Sequence, residues 1–69
     1  MPEGLANTLK EVRGELGLTQ AQLAEAVGVT RKTINTVENG VFVPSTLLAL
    51  KIARALGRPV EELFLISAD

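Results

Sequence analysis

Apolar residues along this chain recur mostly at intervals of three and four, the spacing of helices with one buried side. Leu5, Leu9, Val12 and Leu16 step by four, three and four and so share one face of a first helix. Gly14 lies inside that pattern and weakens it by about 1 kcal/mol relative to alanine. Gly17 stands where glycine commonly closes a helix. Thr19 is a suitable N-cap for a second helix, and Gln22, three residues on, completes a capping-box pattern. Ala21, Leu23, Ala24 and Val27 supply that helix's apolar side. Gly28 permits the left-handed backbone of a sharp turn, and the small Ala24 lets the next helix approach closely.

The third helix is predicted from a cap at Thr30, with Thr33 in place of the usual acidic partner, to about Glu38 and the stop Asn39-Gly40. At about 100° per residue, Thr30, Ile34 and Val37 fall on one side. Lys32, Asn35, Thr36 and Asn39 fall opposite, flanked by Arg31, so the outer side is polar and free of acid. Pro44-Ser45 opens a fourth helix, with Leu48, Ile52, Ala55 and Leu56 inward and a basic stripe of Lys51, Arg54 and Arg58. Gly57 ends it. Pro59 begins a short fifth helix, with Glu61 and Glu62 where the dipole favours negative charge and Leu63 and Phe64 turned inward. The tail Leu65–Asp69 fits either a frayed end or a short strand. The expectation is an all-α domain of five helices spanning residues 1–69, with a core over about 5–64.

Composition narrows the chemistry. A chain of 69 residues buries roughly 60% of the surface its unfolded form exposes, which leaves a thin margin of stability. Hydrophobic residues reach 46% and aromatics only 3%, which suits aliphatic helix-on-helix packing and suggests that some surface is covered by a partner, a second copy being the simplest. With no cysteine and no histidine, the commonest zinc ligands and the commonest general base are missing. There is no glycine-rich phosphate loop, the carboxylates are scattered, and a substrate cavity of several hundred Å³ has little room. The expectation is no enzyme, metal, cofactor or small-molecule ligand. No apolar run approaches the ~20 residues of a membrane span, and no charged-then-apolar leader opens the chain. A cytoplasmic protein without a membrane partner is therefore expected.

The net charge of −1 is low for a nucleic-acid binder, but its distribution is uneven. Residues 1–28 hold Lys10 and Arg13 against Glu3, Glu11, Glu15 and Glu25, a net of −2. Residues 29–60 hold Arg31, Lys32, Lys51, Arg54 and Arg58 against Glu38 alone, a net of +4. Residues 61–69 hold Glu61, Glu62 and Asp69, a net of −3. On charge alone, an ordinary solvated helix surface explains the basic block equally well.

The stretch from about Asn7 to Phe64 resembles the Cro/repressor-type (Xre-family) helix-turn-helix domain. The resemblance rests on Leu9-Lys10-Glu11-Val12-Arg13, Gly17-Leu18-Thr19-Gln20 and Leu23-Ala24-Glu25-Ala26-Val27-Gly28-Val29. It continues through Ile34, Glu38-Asn39-Gly40, Pro44-Ser45, Ala53-Arg54-Ala55-Leu56-Gly57 and Leu63-Phe64. It implies a compact lambda-repressor-like fold and a homodimeric transcriptional regulator, usually a repressor, reading the major groove of an inverted-repeat operator. It assigns base contacts to Thr30, Arg31, Lys32 and Thr36, with Asn35 on the same face as a further contact. It assigns phosphate contacts to Gln20, Thr33 and Asn39, while the helix N-termini at Thr19 and Thr30 offer N–H groups to phosphate. Gln20 also matches a position that braces the side chain at Arg31. Arg13 and Glu38 match a pair joining the first helix to the end of the third.

One departure stands out. After Asn39-Gly40 the family commonly places basic residues, whereas this chain reads Val41-Phe42-Val43. Phe42 is expected to pack into the core. Val41, Val43, Leu47, Leu65 and Ile66 are then candidates for a dimer interface. The alternatives are an interaction module that keeps the fold without binding DNA, or an antitoxin or controller protein of a two-gene system.

Overall fold

Leu9, Leu23, Ile34, Ile52 and Leu63 are fully buried, one from each of five helices, and the core lies where they meet. In the computed structural model, which describes residues 3–68, the elements run β1 (Glu3–Asn7), α1 (Leu9–Glu15), α2 (Gln20–Val27), α3 (Arg31–Glu38), α4 (Thr46–Leu56), α5 (Val60–Leu63) and β2 (Phe64–Ala68). Val12, Ala24, Val27, Val37, Leu48, Ala53 and Leu56 complete the buried cluster, with Leu18, Val29, Val60 and Phe64 packed on its margin. The helix α2 packs against both α3 and α4 and so joins the recognition-type pair α2–α3 to the rest of the bundle.

The caps form where the side-chain chemistry favours them. Thr19 accepts from the Gln22 backbone N–H and the Gln22 side chain accepts from the Thr19 N–H, a closed capping box. Thr30 and Ser45 accept from Thr33 and Leu48 in the same way. Gly28, at φ 77°, supplies the left-handed residue that turns α2 into α3. A Cβ at Gly28 would meet nothing within 4 Å, so Gly28→Ala costs only the backbone term, about 1–2 kcal/mol. Gly14 sits inside α1 with equally open space, and there alanine favours the helix. Gly14→Ala should raise the melting temperature by about 4–8 °C and Gly28→Ala should lower it by at least as much, on the usual scaling for small domains. A calorimetric scan showing both changes with the same sign would refute this account.

Several expectations are corrected. Leu5 belongs to a strand rather than to the first helix, and Leu16 is exposed at the cap of α1, so the four-residue stripe is really Leu9 and Val12 alone. The strand β1 has no alternating apolar pattern; it exists because β2 pairs with it antiparallel, Leu5 opposite Ile66 and Asn7 opposite Phe64. The tail is therefore a strand through Ala68, and Asp69 lies outside the described residues. Ala21 is exposed on α2. On α4, Ala53 is buried and Ala55 exposed, because the buried arc centres between Ile52 and Leu56 and is turned toward Ala49. Phe42 stays 46% exposed. The backbone N–H groups of Val41 and Phe42 both donate to the Thr36 carbonyl, at 2.9 and 3.2 Å, which holds this loop on α3 instead of letting it fold inward.

Candidate nucleic-acid interface

The site is built from the N-terminal turn of α2 and the outer face of α3. Arg31, Lys32 and Asn39 are exposed there, and Thr33, Asn35 and Thr36 are half-buried. Thr30 and Thr19 stand at the N-terminal ends of the two helices, where free N–H groups and the positive dipole end favour an anion. Three hydroxyls are partly committed at α3: those of Thr30 and Thr33 lie 3.1 Å apart, and that of Thr36 donates to the Thr33 carbonyl at 2.8 Å.

The one acid of α3 is withdrawn from this face. The Glu38 side chain is only 4% exposed and receives Arg13 along both oxygens, Nε to Oε2 at 2.8 Å and a terminal guanidinium nitrogen to Oε1 at 3.2 Å. The other terminal nitrogen of Arg13 donates to the Leu18 carbonyl at 2.8 Å, so this residue ties α1, the α1–α2 turn and the end of α3 together. Burial pushes the Glu38 carboxyl up, but hydrogen bonds from Arg13 and Gln20, with the charges of Arg13 and Lys10, outweigh it and hold it below its ordinary value. The Arg13 guanidinium is raised, first by its hydrogen bond to Glu38 against the opposing effect of burial. The pair is therefore ionised at neutral pH, and α3 shows no net negative group outward.

Gln20 lies between this pair and the outer face. Its Nε2 donates to Glu38 Oε1 at 3.0 Å, and its Oε1 accepts from Arg31 at 3.2 Å and from Asn35 at 3.4 Å. Asn39 donates to the Asn35 side-chain oxygen at 3.2 Å. A further tether is Asn7, which sequence reasoning missed. Its side-chain oxygen accepts from the Leu9 N–H at the start of α1, and its Nδ2 donates to the carbonyls of Val37 and Glu38 at 3.0 and 3.4 Å. The available signal was an asparagine just ahead of the first apolar run, a residue type that caps helices. Just beyond the Gly57 cap of α4, Arg58 bonds Glu15 at 2.8 Å, a largely exposed pair worth about 0–1 kcal/mol.

The apolar candidates are all on the surface. Val41 is 78% and Ile66 73% exposed, and Val43, Leu47 and Leu65 are also open to solvent. Leu47 shares one cleft with Phe42 and another with Leu50, and Leu50 shares a third with Leu5. Ile66 is paired with Leu5 on the same face of the sheet, whereas Leu65 is paired with Ala6 on the opposite face. Leu5 and Leu50 thus join the exposed seam, and neither was singled out as exposed from sequence. Among the described residues, no three histidine, cysteine, aspartate or glutamate side chains are grouped so as to hold a metal ion, and no helix is long and apolar enough to cross a membrane.

Comparison with known proteins matches residues 9–63 to the family described as helix-turn-helix. An uncharacterised helix-turn-helix-type transcriptional regulator of Methanothermobacter thermautotrophicus is 55% identical over 62 residues, which covers 88% of this chain and 90% of that protein. A second such regulator, YgzD of Bacillus subtilis, is 43% identical over 65 residues, with 94% and 98% covered. Among solved structures, the restriction–modification controller protein C.AhdI of Aeromonas hydrophila superposes with a TM-score of 0.74 at 37% identity, over 78% of this chain and 82% of that one.

Proposed function

The chain belongs to the helix-turn-helix family of Cro/C1-type DNA-binding transcriptional regulators, which are not enzymes, and from that premise we propose that it is a homodimeric repressor reading an inverted-repeat operator. The observation that carries the reading is the outer face of α3, where Arg31, Lys32, Asn35 and Thr36 stand together while Glu38 is turned inward onto Arg13. Arginine suits the guanine O6 and N7 edge, and asparagine the adenine N6 and N7 edge. Thr30 at the N-terminus of α3 completes the base-reading set, and Thr19, Gln20, Thr33 and Asn39 flank it toward the phosphates. With few cations available for phosphate, the salt dependence of binding should be moderate.

The exposed seam of Phe42, Leu47, Leu50, Leu5 and Ile66 supports a second copy as the partner. A two-fold dimer would space two copies of α3 by about 34 Å, one turn of DNA. Sedimentation equilibrium should give a dimer, and Leu47→Glu should give a folded monomer with weaker DNA binding. A wild-type protein that stays monomeric at high micromolar concentration would sink the dimer. The likeness to a controller protein adds the reading that the regulated genes are neighbours of its own. Fluorescence anisotropy at low salt against the DNA upstream of its own gene tests both points. The exposed Val41-Phe42-Val43 loop favours one other reading, an interaction module on the same fold, which an absence of sequence preference at micromolar protein would support.

A further inference from the structure

We infer that the buried Glu38 carboxylate sets the polarity of the amide side chains across the outer face of α3, and so fixes which hydrogen-bond pattern that face presents to DNA without touching DNA itself. The inference rests on the DNA-reading role proposed above for Arg31 and Asn35. It starts from what an ionised carboxylate can do, which is only accept. Arg13 takes both oxygens of Glu38, and the capacity left on Oε1 is met by Gln20 Nε2 at 3.0 Å. Gln20 must therefore turn its NH₂ inward. Its oxygen is then aimed at α3, where it accepts from Arg31 at 3.2 Å and from Asn35 at 3.4 Å.

Each later link follows from the one before. A flipped Gln20 would set an oxygen against the carboxylate and an NH₂ against two donors, three unfavourable contacts in a half-buried place. Asn35 must likewise offer its NH₂ to Gln20, which leaves its oxygen at the other end, where Asn39 Nδ2 donates at 3.2 Å. Donation thus runs one way from Asn39 through Asn35 and Gln20 to Glu38, the buried charge that Arg13 meets from the other side.

The direction matters because a free surface amide can turn over and offer donor and acceptor in either order. An asparagine that reads adenine needs its oxygen on the N6 amine and its NH₂ on N7. Here that order is set before DNA arrives, and Arg31 is held on the same oxygen as Asn35. The two side chains therefore read as one unit, with less ordering left to do on binding. Glu38 and Gln20 are positioning residues in this scheme, and specificity passes through them.

Two variants and two readouts test it. Glu38→Gln restores the freedom to accept or donate, and Gln20→Ala removes the middle link from a half-buried position outside the core. In the DNA-free protein, NMR of the side-chain amides should show the Asn35 NH₂ signals shifting and averaging in Glu38→Gln, two links from the change. Unchanged Asn35 signals would overturn the inference. Selection from a pool of randomised duplexes should then show, in each variant, the preferred-to-next-base ratio falling by about fivefold or more at the positions read by Arg31 and Asn35. Binding to the unselected pool should change by less than about twofold in Glu38→Gln, whereas Gln20→Ala also loses a proposed phosphate contact and is read by its base-preference ratio alone. Base preferences left intact in both variants would overturn the inference and leave Gln20 a phosphate anchor alone. A wild-type protein with no base preference would overturn both this inference and the DNA-reading role, even with coupled amides in the NMR arm.

Discussion

Arg13→Ala should lower the melting temperature by about 10–20 °C. The substitution leaves Glu38 buried and ionised with only Gln20 donating to it, and it frees the Leu18 carbonyl. Removing one partner of a buried ion pair costs about 3–5 kcal/mol. Arg13 keeps 14% of its side chain exposed, so about 2–3 kcal/mol is the appropriate expectation here. In a domain of this size each kcal/mol moves the midpoint by about 4–8 °C. The total stability of such a chain is only about 0.05–0.15 kcal/mol per residue, so the loss is a large fraction of the whole. Replacing both partners by apolar residues of similar volume should recover most of it, since the stranded charge is what costs. A midpoint within about 2 °C of wild type, against the scaling above, would refute the pair's structural role.

The same pair shapes the acid limb. Glu38 has its folded-state carboxyl below the ordinary 4.5, so its contribution is fully present above that value and is lost as the pH falls through the folded-state value. The difference in unfolding free energy between wild type and Arg13→Ala should therefore be greatest near neutral pH and shrink as the pH falls, because burial without Arg13 raises the variant's Glu38 carboxyl and acid neutralises the stranded charge. Urea unfolding at a series of pH values measures it, and a difference that grows toward acid would have the wrong sign for this mechanism.

Arg31→Ala should weaken operator binding by between about 30-fold and 10⁴-fold while leaving the melting temperature unchanged. A good bidentate base contact is worth about 1–3 kcal/mol, and a two-fold dimer loses it twice. Arg31 is exposed and bonded only to Gln20 among the described side chains, so its removal leaves the core intact. Arg54→Ala, an exposed cation on α4 away from α3, is the control and should change affinity by less than about threefold. Anisotropy titrations at one fixed salt concentration measure both. Equal losses from the two substitutions would mean that charge alone, and no base reading, drives binding.

Much of the fold was legible because its signals are local. The periodicity of Leu9 and Val12, of Leu23, Ala24 and Val27, and of Leu48, Ile52 and Leu56 requires no knowledge of the neighbours. The same holds for the caps at Thr19, Thr30 and Ser45, which depend on a hydroxyl and an N–H three residues away. Gly28 and Gly57 take the left-handed backbone at the two helix ends where they were expected. The acid-free side of α3 was likewise visible from helical phase alone.

What could not be read depends on partners distant in the chain. β1 forms only because residues 64–68 come back beside it. Phe42 stays outside because the Thr36 carbonyl captures the loop backbone. Asn7 reaches the end of α3 across 30 positions, and nothing in its sequence neighbourhood points there. The sequence by itself determined the helices, their caps and the polar face of α3, since periodicity and capping act within a turn or two. The resemblance already implied the pairing of Arg13 with Glu38 and the brace of Gln20 on Arg31; only the tertiary structure decided that Gln20 also turns its NH₂ onto Glu38 and its oxygen onto Asn35. The physical reason is that an amide or a carboxylate takes its orientation from the donors and acceptors packed around it, and those come from elements brought together only by folding.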